Sequence, residues 1–308
     1  MPIVTVPDQS WIDAVGQVPG VDLRVWDMTA PLSDPAGVGI VVHPYFTDVA
    51  RLRRVADLPD LQAISLLTAG YETAVPFVPA GVALLNAAGV HDASTAELAV
   101  TLVLASLRDI PDFVRAQDRG EWLPLRIWPA LADKRVLVVG YGSIGRAIAR
   151  RLAPFEVSLT AVASTARAGD DLVDVVHGIA ELPDLLPHHD VVVLIVPLTP
   201  STEGMVDAAF LAAMPDGALL VNMARGKVVD TDALVEATAD GRLRVALDVT
   251  DPEPLPPGHP LWRCPTLMLS PHVGGASSAF APRAAALLRD QFRRYAAGER
   301  LRNIVHVG

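Results

Sequence analysis

Short apolar runs and longer helical patterns alternate along the whole chain. IVTV (3–6), LRVW (23–26), VGIVV (38–42), LQAISLL (61–67) and VALL (82–85) predict strands, several of them rich in β-branched residues and bounded by Pro, Gly or Asp. RVLVVG (135–140), VSLTAVA (157–163), VVVLIV (191–196), ALLVNM (218–223), RVALDV (244–249) and TLMLS (266–270) form a second series. Several of these runs are apolar on both faces, as parallel strands buried between helices must be. Strand–helix–strand alternation predicts the α/β class with doubly wound sheets.

One helical pattern begins near HDASTAEL, where Ser94 and Glu97 have capping-box spacing, and runs almost wholly apolar to Leu107. Its apolar residues point in too many directions for one domain core to cover, which predicts burial between domains or between subunits. A symmetric homodimer built largely on residues 95–107 is the expectation, and a helix buried entirely between two domains is the alternative. The last apolar helical pattern runs from about Pro282 to Ala297, and a short tail, LRNIVHV, follows.

Composition removes several function classes. A chain of 308 residues can build two cores, and 51% hydrophobic with 19% charged residues suits compact folding rather than disorder. The net charge of −10, with no basic block, argues against nucleic acid or anionic membrane as a partner. Prolines and glycines break the longest charge-free runs, so none reads as a membrane span. No basic-then-apolar leader opens the sequence, and the single Cys264 excludes an internal disulfide framework. A cytoplasmic protein is expected.

The chemistry starts at Gly140-Tyr141-Gly142-Ser143-Ile144-Gly145, a G-x-G-x-x-G between the strand VLVV and the helix RAIARRL. The first glycine permits a tight turn, the second lets backbone approach a pyrophosphate, and the third lets helix pack on strand. A purely structural turn is the plainer alternative. Arg225, in ALLVNMARGKVVD, follows a buried strand, so its planar fork sits where α/β sheets bind carboxylates, unless it only caps a helix or pairs with Asp230. His272, in LSPHVGG, follows another strand end. A neighbouring carboxylate would fix the tautomer of such an imidazole and favour its charged form; Glu253 is the candidate, though spacing alone does not make the two meet. The other histidines lack metal-ligand spacing, so no metal site is read.

The ordered series GYGSIG, VPLTPST, NMARGKVVD, LDVTDPEP, HPLW and SPHVGG resembles the D-isomer-specific 2-hydroxyacid dehydrogenase family. LTAGYE and NAAGVHDASTAELAV are similar to that family's substrate loop and interdomain helix, so the likeness spans essentially the whole chain. It implies a Rossmann-like dinucleotide-binding domain, residues 92–280, inserted into a smaller flavodoxin-like substrate domain, residues 1–91 and 281–308. It implies catalytic roles for Arg225, Glu253 and His272, with Arg225 and His272 also touching substrate. Backbone N–H groups at Ala69 and Gly70 match the cradle for the substrate carboxylate. Asp248 matches the acid that holds the nicotinamide carboxamide, and the motifs carrying Pro197, Thr202 and Met223 join the glycine turn as cofactor-binding residues. Glu72 departs from the Asp or Asn common in the substrate loop. Relatives with a regulatory serine-binding module are longer than this chain.

The resemblance implies reversible hydride transfer between a nicotinamide and a small 2-oxo acid. In NAD sites an acid about twenty residues past the glycine turn accepts the ribose hydroxyls. Here the strand ends Ala163-Ser164-Thr165-Ala166-Arg167, so NADP is expected as the preferred cofactor, with NAD possible. Ser164, Thr165 and Arg167 would take the 2′-phosphate; the alternative is a plain turn, with Asp170 or Asp171 serving the ribose. The segment VVHPYFTD (41–48) offers His43, Tyr45 and Phe46 but no arginine, which favours an unphosphorylated acid unless Arg51 or Arg283 reaches in. Phosphite dehydrogenase and a dinucleotide-sensing binding protein are the rival readings.

Overall fold

The structure, a computed structural model, describes residues 1–308. The chain divides into two units, Met1–His91 with Ser278–Gly308, and Asp92–Ser277. In the first, β1 (Ile3–Val6), β2 (Asp22–Val25), β3 (Val38–Val42), β4 (Ala63–Ser65) and β5 (Ala83–Leu85) are parallel, in the order β5-β4-β3-β1-β2. That is the flavodoxin-like strand order. Helix α1 (Gln9–Val15) joins β1 to β2, and the Asp8 carboxylate caps it by accepting from Trp11 N.

The second unit opens with α2 (Asp92–Leu107) and α3 (Ile110–Asp118). Its strands are β6 (Arg135–Val139), β7 (Ser158–Ala163), β8 (Arg167–Ala168), β9 (Val175–Gly178), β10 (Val191–Leu194), β11 (Leu219–Asn222), β12 (Arg244–Leu247) and β13 (Leu267–Leu269). They are ordered β13-β12-β11-β10-β6-β7-β9-β8, and only β8 runs antiparallel to its neighbour. Helices α4 (Ser143–Leu152), α5 (Leu182–Leu185), α6 (Ala208–Ala213) and α7 (Thr231–Thr238) lie in the connections. This is a Rossmann sheet, with the order reversing between β6 and β10, where such sheets bind ligands. Every residue of β10 and β11 is buried, and all but Asn222 at the end of β11 are apolar. Helix α8 (Phe280–Ala296) and β14 (Ile304–Val307) return the chain to the first unit. There β14 pairs antiparallel with β5, while Leu288 and Phe292 of α8 pack on Val4, Ile40 and Val42.

Two expectations are corrected. Helix α2 already begins at Asp92, and Ser94, inside it, shares a hydrogen bond with Ser277 Oγ at 2.6 Å instead of forming a capping box. The helix is also covered within its own unit: Ala96, Ala99, Leu102 and Val103 pack with Ile148, Leu152 and Val221. Apolar exposure in this unit lies further along, where Trp122 and Ile127 are each 99% exposed and Leu125 98%. No helix is long and apolar enough to cross a membrane.

Candidate active site

The glycine turn follows β6 directly. Gly140 has φ +108°, and a Cβ there would fall 2.4 Å from the carbonyl oxygen of Ile195, just past β10. A Cβ on Gly145 would fall 2.0 Å from the carbonyl oxygen of Gly140. Around Gly142 there is open space, with nothing within 4 Å of a built Cβ. Two glycines thus let the backbone close on itself, while the middle one leaves a cradle at the start of α4. No side chain caps that helix, so its first N–H groups and its dipole are available to a phosphate. These features fit a dinucleotide pyrophosphate. Beside the cradle, Ser143 Oγ donates to Asp92 Oδ1 at 3.3 Å, and Ile144 packs into the core.

Strand β7 ends at Ala163, and Ser164 and Thr165 form an exposed bend leading to Arg167 at the start of β8. Arg167 Nη2 donates to the Tyr141 carbonyl at 2.6 Å, which ties this bend to the glycine turn. The acid absent from the end of β7 arrives from the following turn. Asp170 accepts from Tyr141 OH at 3.1 Å and from Arg146 Nε at 2.6 Å, and Asp171 pairs with Arg146 and Arg150. The Arg146 guanidinium holds the Asp170 carboxyl down to about 2. Burial, then the bond to Asp170, push the Tyr141 phenol up to about 12. A cavity of about 310 Å³ is lined by Tyr141, Gly142, Ser143, Arg146, Arg167 and Asp170, among others. Arg146 is the residue that the sequence reading passed over; its signal was an arginine directly after the third glycine.

After β10, Thr202 Oγ1 donates to the Pro197 carbonyl at 2.6 Å and accepts from Thr199 N at 2.8 Å, which fixes that loop. Met223 follows β11 as a buried residue, its N–H donating to the Leu194 carbonyl at 3.0 Å.

Arg225 leaves β11 in extended conformation, and Nη1 donates to the Ala224 carbonyl at 2.7 Å. The next residue explains the placement. A Cβ on Gly226 would lie 1.9 Å from the Thr250 carbonyl oxygen, so only glycine lets this loop press against the loop that carries Glu253. Asp230 caps α7 by accepting from Asp232 N and Ala233 N. His272 Nδ1 and Glu253 Oε1 are 2.6 Å apart, a contact that spacing in the sequence did not supply. His272 sits at φ +53°, a conformation that non-glycine residues seldom adopt. Buried Asp248 holds it there. The His272 N–H donates to the Asp248 carbonyl at 2.8 Å. The Asp248 carboxylate accepts from Ser270 Oγ at 2.6 Å, Val273 N at 2.9 Å and Gly274 N at 2.8 Å.

In the first unit, Ala69 and Gly70 follow β4. Their carbonyls are taken by Asn86 Nδ2 and Thr68 Oγ1, each at 2.7 Å, so the N–H groups are what this loop can offer a carboxylate. Glu72 accepts from Tyr71 N at 2.9 Å, a turn that a longer acid closes as Asp or Asn would. Past β3, His43 is buried with no partner for Nε2, and burial lowers its pKa, which keeps the ring neutral. Tyr45 stacks on Phe280 with centroids 4.3 Å apart, and Phe46 stands 74% exposed. Arg51 donates to the Asp27 carbonyl and Arg283 to the Ala279 carbonyl.

The family model "D-isomer specific 2-hydroxyacid dehydrogenase, NAD binding domain" matches residues 100–274. Glyoxylate reductase/hydroxypyruvate reductase of Homo sapiens is 36% identical over 189 residues, 60% of this chain and 58% of that protein. The matched part therefore spans under two thirds of the human protein's length. Glyoxylate reductase of Thermofilum pendens is 35% identical over 227 residues, 71% of this chain and 67% of that protein. A D-isomer specific 2-hydroxyacid dehydrogenase from Xanthobacter autotrophicus Py2, solved in complex with NADPH and MES, superposes with a TM-score of 0.85. That structure shares 31% identity, over 99% of this chain and 98% of the other.

Proposed function

We propose that this chain, which belongs to the D-isomer-specific 2-hydroxyacid dehydrogenase family, is an NADPH-preferring reductase of a small unphosphorylated 2-oxo acid, glyoxylate- or hydroxypyruvate-like. The observation that carries the reading is the 2.6 Å contact between His272 Nδ1 and Glu253 Oε1, at the strand ends of a sheet whose glycine turn is open to phosphates. Residues 92–277 are assigned as the dinucleotide-binding domain, and 1–91 with 278–308 as the substrate domain.

The nicotinamide, when bound, supplies the hydride. The chain's own groups manage charge and protons. As hydride reaches the carbonyl carbon, negative charge grows on the oxygen, and a fixed guanidinium stabilises it best. Arg225 takes that role while holding the substrate carboxylate; within the first unit, the Ala69 and Gly70 N–H groups are the donors a carboxylate would use. Glu253 accepts from His272 Nδ1–H, so the opposite nitrogen, Nε2, carries the proton passed to the oxygen. Gly142, Ser143 and the start of α4 seat the pyrophosphate, flanked by the turns of Pro197 and Thr202 and of Met223; Ser164, Thr165 and Arg167 take the 2′-phosphate. With purified protein, at least one of glyoxylate, hydroxypyruvate and pyruvate should be reduced, at higher kcat/KM with NADPH than with NADH. A ratio favouring NADH rejects the cofactor half, and NADPH binding without turnover of any acid marks a dinucleotide sensor instead.

The protein is further proposed to be a homodimer. Its support is the run of exposed apolar side chains at Trp122, Leu125 and Ile127, the kind of surface that monomers rarely leave open. Sedimentation at micromolar concentration should give a dimer, and the variant Trp122→Asp with Ile127→Asp should shift it toward monomer. A stable wild-type monomer removes the proposal. A cytoplasmic location is supported by the single cysteine and the acidic, unbroken globular composition; recovery in a membrane or secreted fraction would contradict it.

A further inference from the structure

The end of β7 lacks an acid, yet Asp170 lines the same cavity as Gly142, Ser143 and Arg167, coming from the turn between β8 and β9. Left unpaired there, a carboxylate would do two things. It would repel a 2′-phosphate, and it would accept hydrogen bonds from ribose hydroxyls as the acid of an NAD site does. Instead three donors engage it, although the residue itself stays exposed. Arg146 Nε donates to it at 2.6 Å, Tyr141 OH at 3.1 Å and Leu172 N at 2.9 Å. Asp171 holds a second nitrogen of the same guanidinium, so Arg146 is fixed against this turn from two sides. With its carboxyl held near 2, Asp170 keeps its charge and Arg146 its partner throughout the working pH range.

We propose that Arg146 sets cofactor choice by masking Asp170, so that a site containing an acid accepts NADPH. The inference rests on the NADPH-preferring reading above. Arg146 here is a positioning residue: it cancels the charge of Asp170 and occupies its lone pairs, while Arg167 opens β8 directly after the exposed bend at Ser164 and Thr165. The masking has a specific signature. Removing Arg146 should harm NADPH binding only while Asp170 keeps its charge.

The test is direct binding, read from the fluorescence of the reduced nicotinamide, with full-length wild type, Arg146→Gln, Asp170→Asn and the double variant. Arg146→Gln should lower the ratio Kd(NADH)/Kd(NADPH) by about tenfold, the scale of one uncompensated charge facing a dianion at close range. The double variant should return the ratio to within about twofold of wild type, a coupling that a double-mutant cycle isolates. An unmoved ratio in Arg146→Gln overturns the proposal. A lowered ratio that Asp170→Asn fails to restore also overturns it, since Arg146 would then contact the phosphate itself. Equal weakening of both cofactors overturns it as well, as the mark of a merely structural arginine. A wild-type ratio favouring NADH defeats the underlying reading instead, before any variant is compared.

Discussion

His272→Ala should lower turnover of the 2-oxo acid by about 10²-fold or more, the usual cost of losing a positioned proton donor. Arg225→Ala should cost about as much, because the charge growing on the carbonyl oxygen loses its fixed counter-ion. The loss in His272→Ala should fall on kcat, whereas Arg225→Ala should also raise KM, because it removes a donor to the substrate carboxylate. Glu253→Gln keeps an oxygen that can accept from His272 Nδ1–H, so the ring orientation survives while the charge facing the imidazolium is lost. Its kcat should therefore lie between wild type and His272→Ala. Steady-state kinetics on the three variants, with circular dichroism to confirm folding, check the set. Wild-type turnover by His272→Ala would remove the histidine from the chemistry.

Asp248→Ala should damage both stability and turnover. The buried carboxylate accepts from Ser270 Oγ, Val273 N and Gly274 N, all in the loop that presents His272. Each buried donor left without a partner costs about 1–3 kcal/mol. Two stranded amides correspond to a fall in Tm of roughly 5–15 °C for a domain of this size. The backbone of His272, at φ +53°, then loses the neighbours that hold it in an unfavourable region. A fall in kcat of at least about tenfold is expected, since small misplacements of a catalytic group are expensive. Asp248→Asn should fall between, because one amide oxygen can keep part of the set. A thermal melt paired with kinetics reads both effects; an unchanged melt would show that the carboxylate does not anchor this loop.

Period and motif made the parallel core legible. β10 and β11 are buried throughout, so their sequences carry no polar residue before Asn222 to confuse the strand reading. The elements missed are those that alternate nothing. β8 has two residues, β9 spans Val175–Gly178 with a polar His177, and β14 is a four-residue edge strand set by pairing with β5. α2 misled for a physical reason: an apolar helix without a polar face looks the same whether a partner subunit or α4 and β11 cover it. At the site, residue types were readable and contacts were not. His272 and Glu253 meet only because separate loops after β13 and β12 converge. The Arg146–Asp170 pair depends on a turn that no local pattern announced.

The proposed reaction is hydride transfer from the nicotinamide to C2 of a 2-oxo acid, with the proton delivered from His272. The most direct measurement uses NADPH carrying deuterium at the transferable C4 position, with hydroxypyruvate as acceptor, followed by mass and chiral analysis of the product. The predicted result is D-glycerate with one deuterium, located at C2. Unlabelled glycerate, the L-isomer, or label left wholly on the nicotinamide would contradict the account.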